Sequence, residues 1–220
     1  MPIRAAIFDF DGVIADSIPL HFESFRRVFA DEGGAFTMDD YRRVANGAPR
    51  EVVIRGMMPH LTPARLQELM DRKGRYVVQI AEEQGVMPIP GALETAAACR
   101  RRGLRTAIAS SSRTAKQFLD ALRIEKPELR PARSLFDAIL EREGVVKAKP
   151  DPEVFLLAAR ALDVAPAECV VVEDAVHGVT AARRAGMKVI AITTTDTREA
   201  LREADIIVDR FDEIDLDALL

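Results

Sequence analysis

Short apolar runs alternate along this chain with longer amphipathic segments, and this alternation constrains the fold more than any other feature. The apolar runs are rich in Ile and Val and are bounded by Gly, Asp or Ser, which is typical of buried parallel strands. They span residues 3–8, 104–109, 169–172, 187–192 and 206–208. The amphipathic segments, which predict helices, span residues 92–102, 114–122, 153–162 and 179–185. Strands and helices in this order predict right-handed crossovers and an α/β fold with a doubly wound, Rossmann-like parallel sheet.

Residues 17–86 break the alternation, because they contain helical patterns and no convincing strand. Thr37, with Asp40 three residues later, resembles a capping box, and Thr62 followed by Pro63 predicts the start of a further helix. The segment therefore predicts an all-helical domain inserted after the first strand. The predicted domains are a core of residues 1–16 and 87–220 and a helical insert of residues 17–86.

The composition argues against several classes of protein. The 220 residues carry 31 Lys and Arg against 35 Asp and Glu, and this net charge of −4 lacks the basic excess of a nucleic-acid-binding protein. No apolar run approaches the ~20 residues that span a bilayer, and residues 1–4 do not begin a recognisable signal peptide. Cys99 and Cys169 lie in apolar segments and predict reduced, packed thiols. We therefore expect a cytoplasmic protein that binds neither nucleic acid nor membrane. A monomer is compatible with this composition, which leaves the oligomeric state open.

Two carboxylates follow the first predicted strand. Asp9 and Asp11 are separated by one residue, and Gly12 after them allows a tight turn. In open parallel sheets, reactive groups lie beyond the carboxyl ends of the strands. An Asp-x-Asp pair on its own is also compatible with a structural turn in which the carboxylates accept backbone N–H groups. The chemistry at the other strand ends is needed to choose between these interpretations.

Polar groups with matching chemistry follow two other predicted strands. Ser110 follows the second strand and Glu173 and Asp174 follow the third, while Lys149 stands just before a predicted helix. If a doubly wound sheet brings these groups together, the carboxylates repel one another unless a cation is bound. An all-oxygen site rich in carboxylates favours Mg²⁺. With Mg²⁺, an ammonium and a hydroxyl, the matching anionic guest is a phosphoryl group.

These residues occur in the order and context of the four motifs of the haloacid dehalogenase superfamily, which the chain resembles over nearly its whole length. The motif residues are Asp9-Phe10-Asp11-Gly12-Val13, Ser110, Lys149-Pro150 and Glu173-Asp174. Finer features are similar to the β-phosphoglucomutase-like, sugar-phosphatase-like branch of that superfamily. They are Asp16-Ser17, Leu20-His21-Phe22, Asn46-Gly47 before Arg50, and Ala175 with Gly178. The resemblance implies that the helical insert is a cap domain.

The resemblance also implies a role for each motif residue. Asp9 would be the nucleophile that forms an aspartyl phosphate, and Asp11 would be the acid and base for the leaving and entering oxygens. Ser110 would bind the phosphoryl oxygens, and Lys149 would offset their negative charge. The implied Mg²⁺ ligands are Asp9, Asp11 through its carbonyl, Glu173 and Asp174.

Four further residues are implied to contact the substrate. They are His21, Arg50, Lys73 and Ser111. Structural alternatives stay open for three of them: His21 is compatible with helix packing, Arg50 with a solvated helix start, and Lys73 with a solvated charge run. Arg72 is an alternative to Lys73 as the substrate contact. Asp16 is expected to cap the first helix of the insert or to steady the loop after Asp9.

The resemblance implies a Mg²⁺-dependent phosphatase that acts on a small phosphorylated metabolite such as a sugar phosphate. Asp11 favours phosphoryl transfer over dehalogenation, because an alcohol leaving group needs an acid whereas a halide does not. A β-phosphoglucomutase-type isomerase stays open as an alternative, since it uses the same covalent step and differs only in the phosphoryl acceptor. A receiver-like signalling domain fits poorly, because its phosphorylated Asp ends a middle strand whereas Asp9 follows the first.

Overall fold

The chain forms two compact units in the computed structural model, which describes residues 2–45, 48–126, 129, 131–141 and 144–218. The core unit comprises Met1–Asp16 and Val86–Leu220, and the helical unit comprises Ser17–Gly85. The sequence analysis draws the second boundary one residue later. Val86 belongs to the core unit because its N–H donates to the carbonyl of Ala121 at 3.4 Å, and its own carbonyl accepts the N–H of Arg123 at 2.8 Å.

A six-stranded parallel sheet forms the centre of the core unit. The strands, in chain order, are β1 (Ala5–Phe8), β2 (Ala15–Asp16), β3 (Met87–Pro88), β4 (Arg105–Ala109), β5 (Ala138–Leu140), β6 (Cys169–Glu173), β7 (Lys188–Ile192) and β8 (Ile206–Val208). The main sheet has the order β5-β4-β1-β6-β7-β8, and every neighbouring pair in it is parallel. This confirms the predicted doubly wound α/β fold. β2 and β3 pair in a separate antiparallel ribbon.

The helices divide between the two units. The helical unit contains α1 (Ile18–Asp31), α2 (Met38–Asp40), a π-helix at Tyr41–Ala45, α3 (Arg50–Met57) and α4 (Pro63–Gln84). The core unit contains α5 (Ala92–Arg101), α6 (Ala115–Asp120), α7 (Glu153–Leu162) and α8 (Val176–Arg184). None of the helices in the described ranges combines the length and apolar character needed to cross a membrane.

Helices of the core unit cover both faces of the main sheet. α7 and α8 pack on the face to which Ile7 and Val171 contribute, and this cluster includes Cys169. On the opposite face, Cys99 of α5 lines a small apolar cavity together with Phe8. Both thiols are buried and neither forms a disulfide, as the sequence predicts, and burial raises the pKa of each thiol to about 11.

The strand order places a topological switch point at β1. The chain passes from β1 to β4 and β5 on one side of it, and then to β6, β7 and β8 on the other side. The connections therefore diverge at β1, where the carboxyl ends of β4, β1 and β6 lie next to one another. Ligands of open α/β sheets bind at such switch points, so this edge is where a functional site is expected.

The helical unit has no strand among its described residues, as the sequence predicts. Its apolar core joins α1, α3 and α4 through buried side chains such as Phe25, Ile54 and Leu69. The capping box is also confirmed. The hydroxyl of Thr37 accepts the N–H of Asp40 at 3.1 Å, and the Asp40 carboxylate accepts the N–H of Thr37 at 3.0 Å.

Three features of the core unit differ from the sequence prediction. The sequence predicts neither β5 nor the β2–β3 ribbon, because these strands are only three and two residues long. It also starts α8 at residue 179, whereas the helix begins at Val176. The earlier start is stabilised from outside the helix, since Asp196 accepts the N–H of Val176 at 2.9 Å.

Candidate active site

A buried cation lies between two carboxylates at the switch point. The ammonium of Lys149 donates to Oδ1 of Asp9 at 2.5 Å, to Oε1 of Glu173 at 2.7 Å and to the carbonyl of Ala109 at 3.2 Å. The exposed fractions of the three charged side chains are 9% for Lys149, 10% for Asp9 and 2% for Glu173. The ring of Phe155 lies beneath the ammonium, with its centroid 4.7 Å from Nζ. Buried charges are tolerated when they are paired and hydrogen-bonded in this way.

The sheet brings these groups together from separate parts of the sequence. Asp9 directly follows β1, and its N–H donates to the carbonyl of Val172 in β6 at 2.9 Å. Glu173 is the last residue of β6, and Asp174 comes next. Ser110 directly follows β4 and is bonded through its N–H to the carbonyl of Leu140 at 2.9 Å. All of these residues therefore lie at the carboxyl edge of the parallel sheet.

The site holds more acidic groups than basic ones. Burial raises the pKa of Asp9 to about 7, and the nearby carboxylates of Glu173 and Asp11 act in the same direction while Lys149 opposes them. Burial, together with Glu173 and Asp9, also raises the pKa of Asp174. Burial alone would lower the pKa of Lys149, but the two carboxylates beside it raise it above its ordinary value. One ammonium thus faces three buried carboxylates, and a bound cation would offset the excess.

The donor set fits Mg²⁺. The turn after Asp9 wraps around Asp174: Gly12 has a φ of 78°, and a Cβ added there would lie 2.0 Å from Oδ2 of Asp174. Within the described ranges, no three Asp, Glu, His or Cys side chains are grouped as metal ligands. Mg²⁺ does not need such a group, because it usually takes one or two carboxylates and completes its shell with water and substrate oxygens. Asp9, Asp174 and the carbonyl of Asp11 are therefore suitable ligands.

The carboxylate of Glu173 makes several hydrogen bonds within the protein. Besides Lys149, its carboxylate accepts the N–H groups of Asp174 at 2.8 Å and Ala175 at 3.0 Å. It lies against Gly178 in the first turn of α8, where an added Cβ would be 1.8 Å from Oε1. Glu173 thus joins Lys149 to the start of α8, and direct metal binding by it stays a prediction.

The two serines of the second motif have different environments. Ser110 is fully buried, and its hydroxyl oxygen accepts the N–H of Ser112 at 2.9 Å. Ser111 is exposed in the turn between them. Asp11 lies in the turn after Asp9, close enough for its charge to act on the pKa of that residue. Asp16 lies in β2 and pairs with Met87, so it does not cap α1, whose N-cap is Ser17.

Two residues of this site were missed by the sequence analysis. Thr194 follows β7, and its hydroxyl donates to the carbonyl of Gly12 at 2.5 Å. Thr195 makes a side-chain hydrogen bond with Asp174. Both belong to a run of hydroxyl residues at the end of a predicted strand. A hydroxyl side chain just after a predicted strand, the pattern that points to Ser110, therefore points to them as well.

The helical unit brings two of the predicted substrate residues together. Lys73 is buried, and its Nζ lies 2.8 Å from Nδ1 of His21 and 4.9 Å from the ring centroid of Phe25. The solvated-run interpretation of Lys73 is therefore wrong, because an apolar ring and an imidazole surround its ammonium. Arg50 contacts the same helix, α4, where its guanidinium donates to the carbonyl of Met70 at 3.0 Å and lies beside Gly74.

Asn46 and Gly47, which belong to the finer motif before Arg50, lie outside the described residues. The substrate contacts of His21, Arg50, Lys73 and Ser111 stay predictions.

Comparisons with known proteins agree with this fold and site. The model of a family described as haloacid dehalogenase-like hydrolase matches residues 6–192. β-Phosphoglucomutase of Bacillus subtilis (strain 168) is 32% identical over 99% of this chain and 94% of its own length. Phosphorylated carbohydrates phosphatase of Thermotoga maritima is 32% identical over 92% of this chain and 91% of its own length.

A solved structure extends the agreement to three dimensions. CbbY from Rhodobacter sphaeroides, in complex with phosphate, superimposes with a TM-score of 0.85 at 28% identity and covers 99% of both chains. A mutant of the same protein, in complex with xylulose-(1,5)bisphosphate, superimposes with a TM-score of 0.84.

The contact between Gly178 and Glu173 predicts the effect of one added methyl group. Gly178→Ala is expected to lower the free energy of unfolding by about 1–3 kcal/mol, because the new Cβ displaces the Glu173 carboxylate. Gly56→Ala is the matched control, since Gly56 is also helical but has no atom within 4 Å of an added Cβ. It should leave stability unchanged or raise it by up to about 1 kcal/mol. Urea unfolding measures both variants, and equal stabilities would contradict the assigned contact.

Proposed function

The chain belongs to the haloacid dehalogenase-like hydrolases, and we propose that it is a Mg²⁺-dependent phosphatase for small phosphorylated carbohydrates, with Asp9 as its nucleophile. The observation that carries the proposal is the buried cluster of Lys149 with Asp9 and Glu173 at the switch point of the sheet. An ammonium beside a carboxylate nucleophile can offset the charge of an incoming phosphoryl group. The carbohydrate class is supported by the name of the Thermotoga maritima relative and by the sugar bisphosphate bound to the CbbY mutant.

In the first half-reaction, a carboxylate oxygen of Asp9 attacks the phosphorus atom, and the bond from phosphorus to the ester oxygen breaks. Asp11 donates a proton to that oxygen, so the alcohol leaves as a neutral molecule. Lys149 offsets the charge on the phosphoryl oxygens, and the hydroxyl of Ser110 donates a hydrogen bond to one of them. The products of this step are an aspartyl phosphate on Asp9 and the free alcohol.

In the second half-reaction, Asp11 acts as a base because it has given up its proton. It takes a proton from water as the water oxygen attacks the phosphorus atom, and the bond between phosphorus and Asp9 breaks. Inorganic phosphate leaves, Asp9 returns to a carboxylate, and Asp11 returns to its acid form. One side chain can serve both steps because the two proton transfers run in opposite directions.

Mg²⁺ is the proposed cofactor, with Asp9, Asp174 and the carbonyl of Asp11 as its protein ligands. When bound, it would offset the negative charge of the phosphoryl group and of the carboxylates. The excess of buried negative charge and the all-oxygen donor set support this choice. Hydrolysis of phosphate monoesters needs about 20 kcal/mol or more of barrier lowering, which no single carboxylate supplies. A cation, an ammonium and a positioned acid acting together can supply it.

Asp9→Asn is expected to lower the rate of p-nitrophenyl phosphate hydrolysis by at least about a thousandfold, because a carboxamide is a poor nucleophile. The measurement is the steady-state rate of p-nitrophenolate release. Asp120→Asn is the matched control, since it neutralises an exposed carboxylate that pairs with Arg133 on the surface. Asp9→Asn activity within tenfold of the unmodified protein would rule out Asp9 as the nucleophile.

Removal of divalent cations is expected to abolish the same hydrolysis, and Mg²⁺ is expected to restore it, because the phosphoryl group and the carboxylates repel each other without a cation. The initial rate is measured after dialysis against EDTA, with and without added MgCl₂. NaCl of equal ionic strength controls for screening. Full activity after exhaustive dialysis would contradict the metal requirement.

A phosphomutase is the second candidate, favoured by the identity with β-phosphoglucomutase over nearly the whole chain. The two reactions share the aspartyl phosphate and differ in whether water or a sugar hydroxyl accepts the phosphoryl group. Incubation with β-glucose 1-phosphate and a catalytic amount of β-glucose 1,6-bisphosphate separates them. Steady release of inorganic phosphate is expected for the phosphatase. Formation of glucose 6-phosphate without free phosphate would instead establish the mutase.

A further inference from the structure

The loop that carries Lys149 is solvated at one end and buried at the other. Val146 is 81% exposed, whereas the side chain of Lys149, three positions later, is 9% exposed. Val145 packs against the apolar core, but Val146 and Lys147 after it are exposed, so apolar contact alone does not fix the backbone between Val145 and Lys149. The buried ammonium nevertheless has to meet two carboxylates within hydrogen-bond distance. Something outside the loop therefore has to fix its backbone.

Glu153, the first residue of α7, makes that contact. Its Oε1 accepts the N–H of Val146 at 2.9 Å, and its Oε2 accepts the N–H of Lys147 at 2.8 Å. Hydrogen bonds to an ionised carboxylate are stronger than those between neutral groups. Two of them, made to consecutive N–H groups by one planar carboxylate, fix both the position and the direction of this backbone.

Helix α7 holds the other end of the loop as well. Phe155 lies two residues after Glu153, and its ring lies beneath the ammonium of Lys149. The N–H of Glu153 itself donates to Oδ1 of Asp151 at 3.1 Å, which fixes the start of the helix. Helix α7 therefore contacts the backbone of the loop through Glu153 and the Lys149 ammonium through Phe155.

We propose that Glu153 is a positioning residue, which fixes the backbone of residues 146–149 so that the ammonium of Lys149 meets Asp9 and Glu173. The kinetic consequence of this assignment rests on the proposed phosphatase function. The placement of Lys149 does not rest on it and can be measured separately.

The test replaces Glu153 with Gln, which keeps the size of the side chain but exchanges one acceptor oxygen for an NH₂ group, so that one of the two bonds is lost. Glu94→Gln is the matched control. Glu94 lies in the first turn of α5, which has ten residues like α7, and it pairs with the exposed Lys126. Both changes therefore remove a negative charge from the first turn of a ten-residue helix. Only the first change affects the Lys149 loop.

Two measurements are made on the folded proteins in Mg²⁺ buffer. Reductive methylation by formaldehyde and cyanoborohydride, followed by mass spectrometry of the Lys149 peptide, reports how well the ammonium is shielded. Steady-state hydrolysis of p-nitrophenyl phosphate reports kcat and KM. Thermal unfolding identifies a temperature at which every variant is folded. Glu153→Asp, which keeps the charge but shortens the reach, is the second variant should Glu153→Gln not fold.

In Glu153→Gln, methylation of Lys149 is expected to accelerate at least about fivefold, because the loop opens more often. We expect kcat to fall about tenfold to a hundredfold with a smaller change in KM, because a misplaced Lys149 loses most of its effect in the transition state. Glu153→Asp should lie between Gln and Glu. Glu94→Gln should match the unmodified protein in both measurements.

Unchanged methylation and unchanged kcat in folded Glu153→Gln would overturn the proposal. A lower melting temperature with neither change would overturn it too, because Glu153 would then only stabilise the fold. An unmodified protein without phosphatase activity would contradict the proposed function instead. The methylation comparison would still decide the role of Glu153.

Discussion

The candidate active site depends on one interaction, the burial of the Lys149 ammonium between the carboxylates of Asp9 and Glu173. An ammonium removed from water needs both a counter-charge and hydrogen-bond acceptors, and here two carboxylates and the Ala109 carbonyl supply them. In proteins, removal of one partner of such a buried pair costs about 3–5 kcal/mol, because it leaves an unpaired charge. The groups come from β1, β4, β6 and a loop that follows β5. The interaction therefore forms only when all of these segments are correctly placed relative to one another.

Glu173 contributes both to this charge cluster and to the stability of the fold. Its carboxylate binds Lys149, accepts the N–H groups of Asp174 and Ala175, and lies against Gly178. The start of α8 is thus stabilised by the same side chain that binds the Lys149 ammonium. A substitution at Gly178 in the first turn of this helix is therefore expected to affect the site through Glu173.

The sequence predicts the positions of the principal groups well, because one rule covers them. Parallel strands end at the same edge of a sheet, so Asp9, Ser110 and Asp174 had to converge once the strands were recognised. The rule also covers Thr194 and Thr195 after β7, which the sequence analysis did not use. Other features depend on contacts that no local pattern records. α8 begins early because Asp196 caps it, and Lys73 is buried because the helical unit surrounds it with His21 and Phe25.

The sequence by itself determined the doubly wound sheet, the strandless insert and the strand ends at which the polar groups lie. Hydrophobic periodicity and strand-end chemistry are local properties, and they survive in a one-dimensional pattern. Only the tertiary structure decided which partner each polar group takes: Lys149 with Asp9 and Glu173, and Glu153 with the backbone of Val146 and Lys147. The Lys149 pairings form because burial removes water as the alternative partner, whereas the Glu153 bonds are exposed and form because the packing of α7 places its first residue beside the loop. Burial is a property of the whole packed unit and not of any segment.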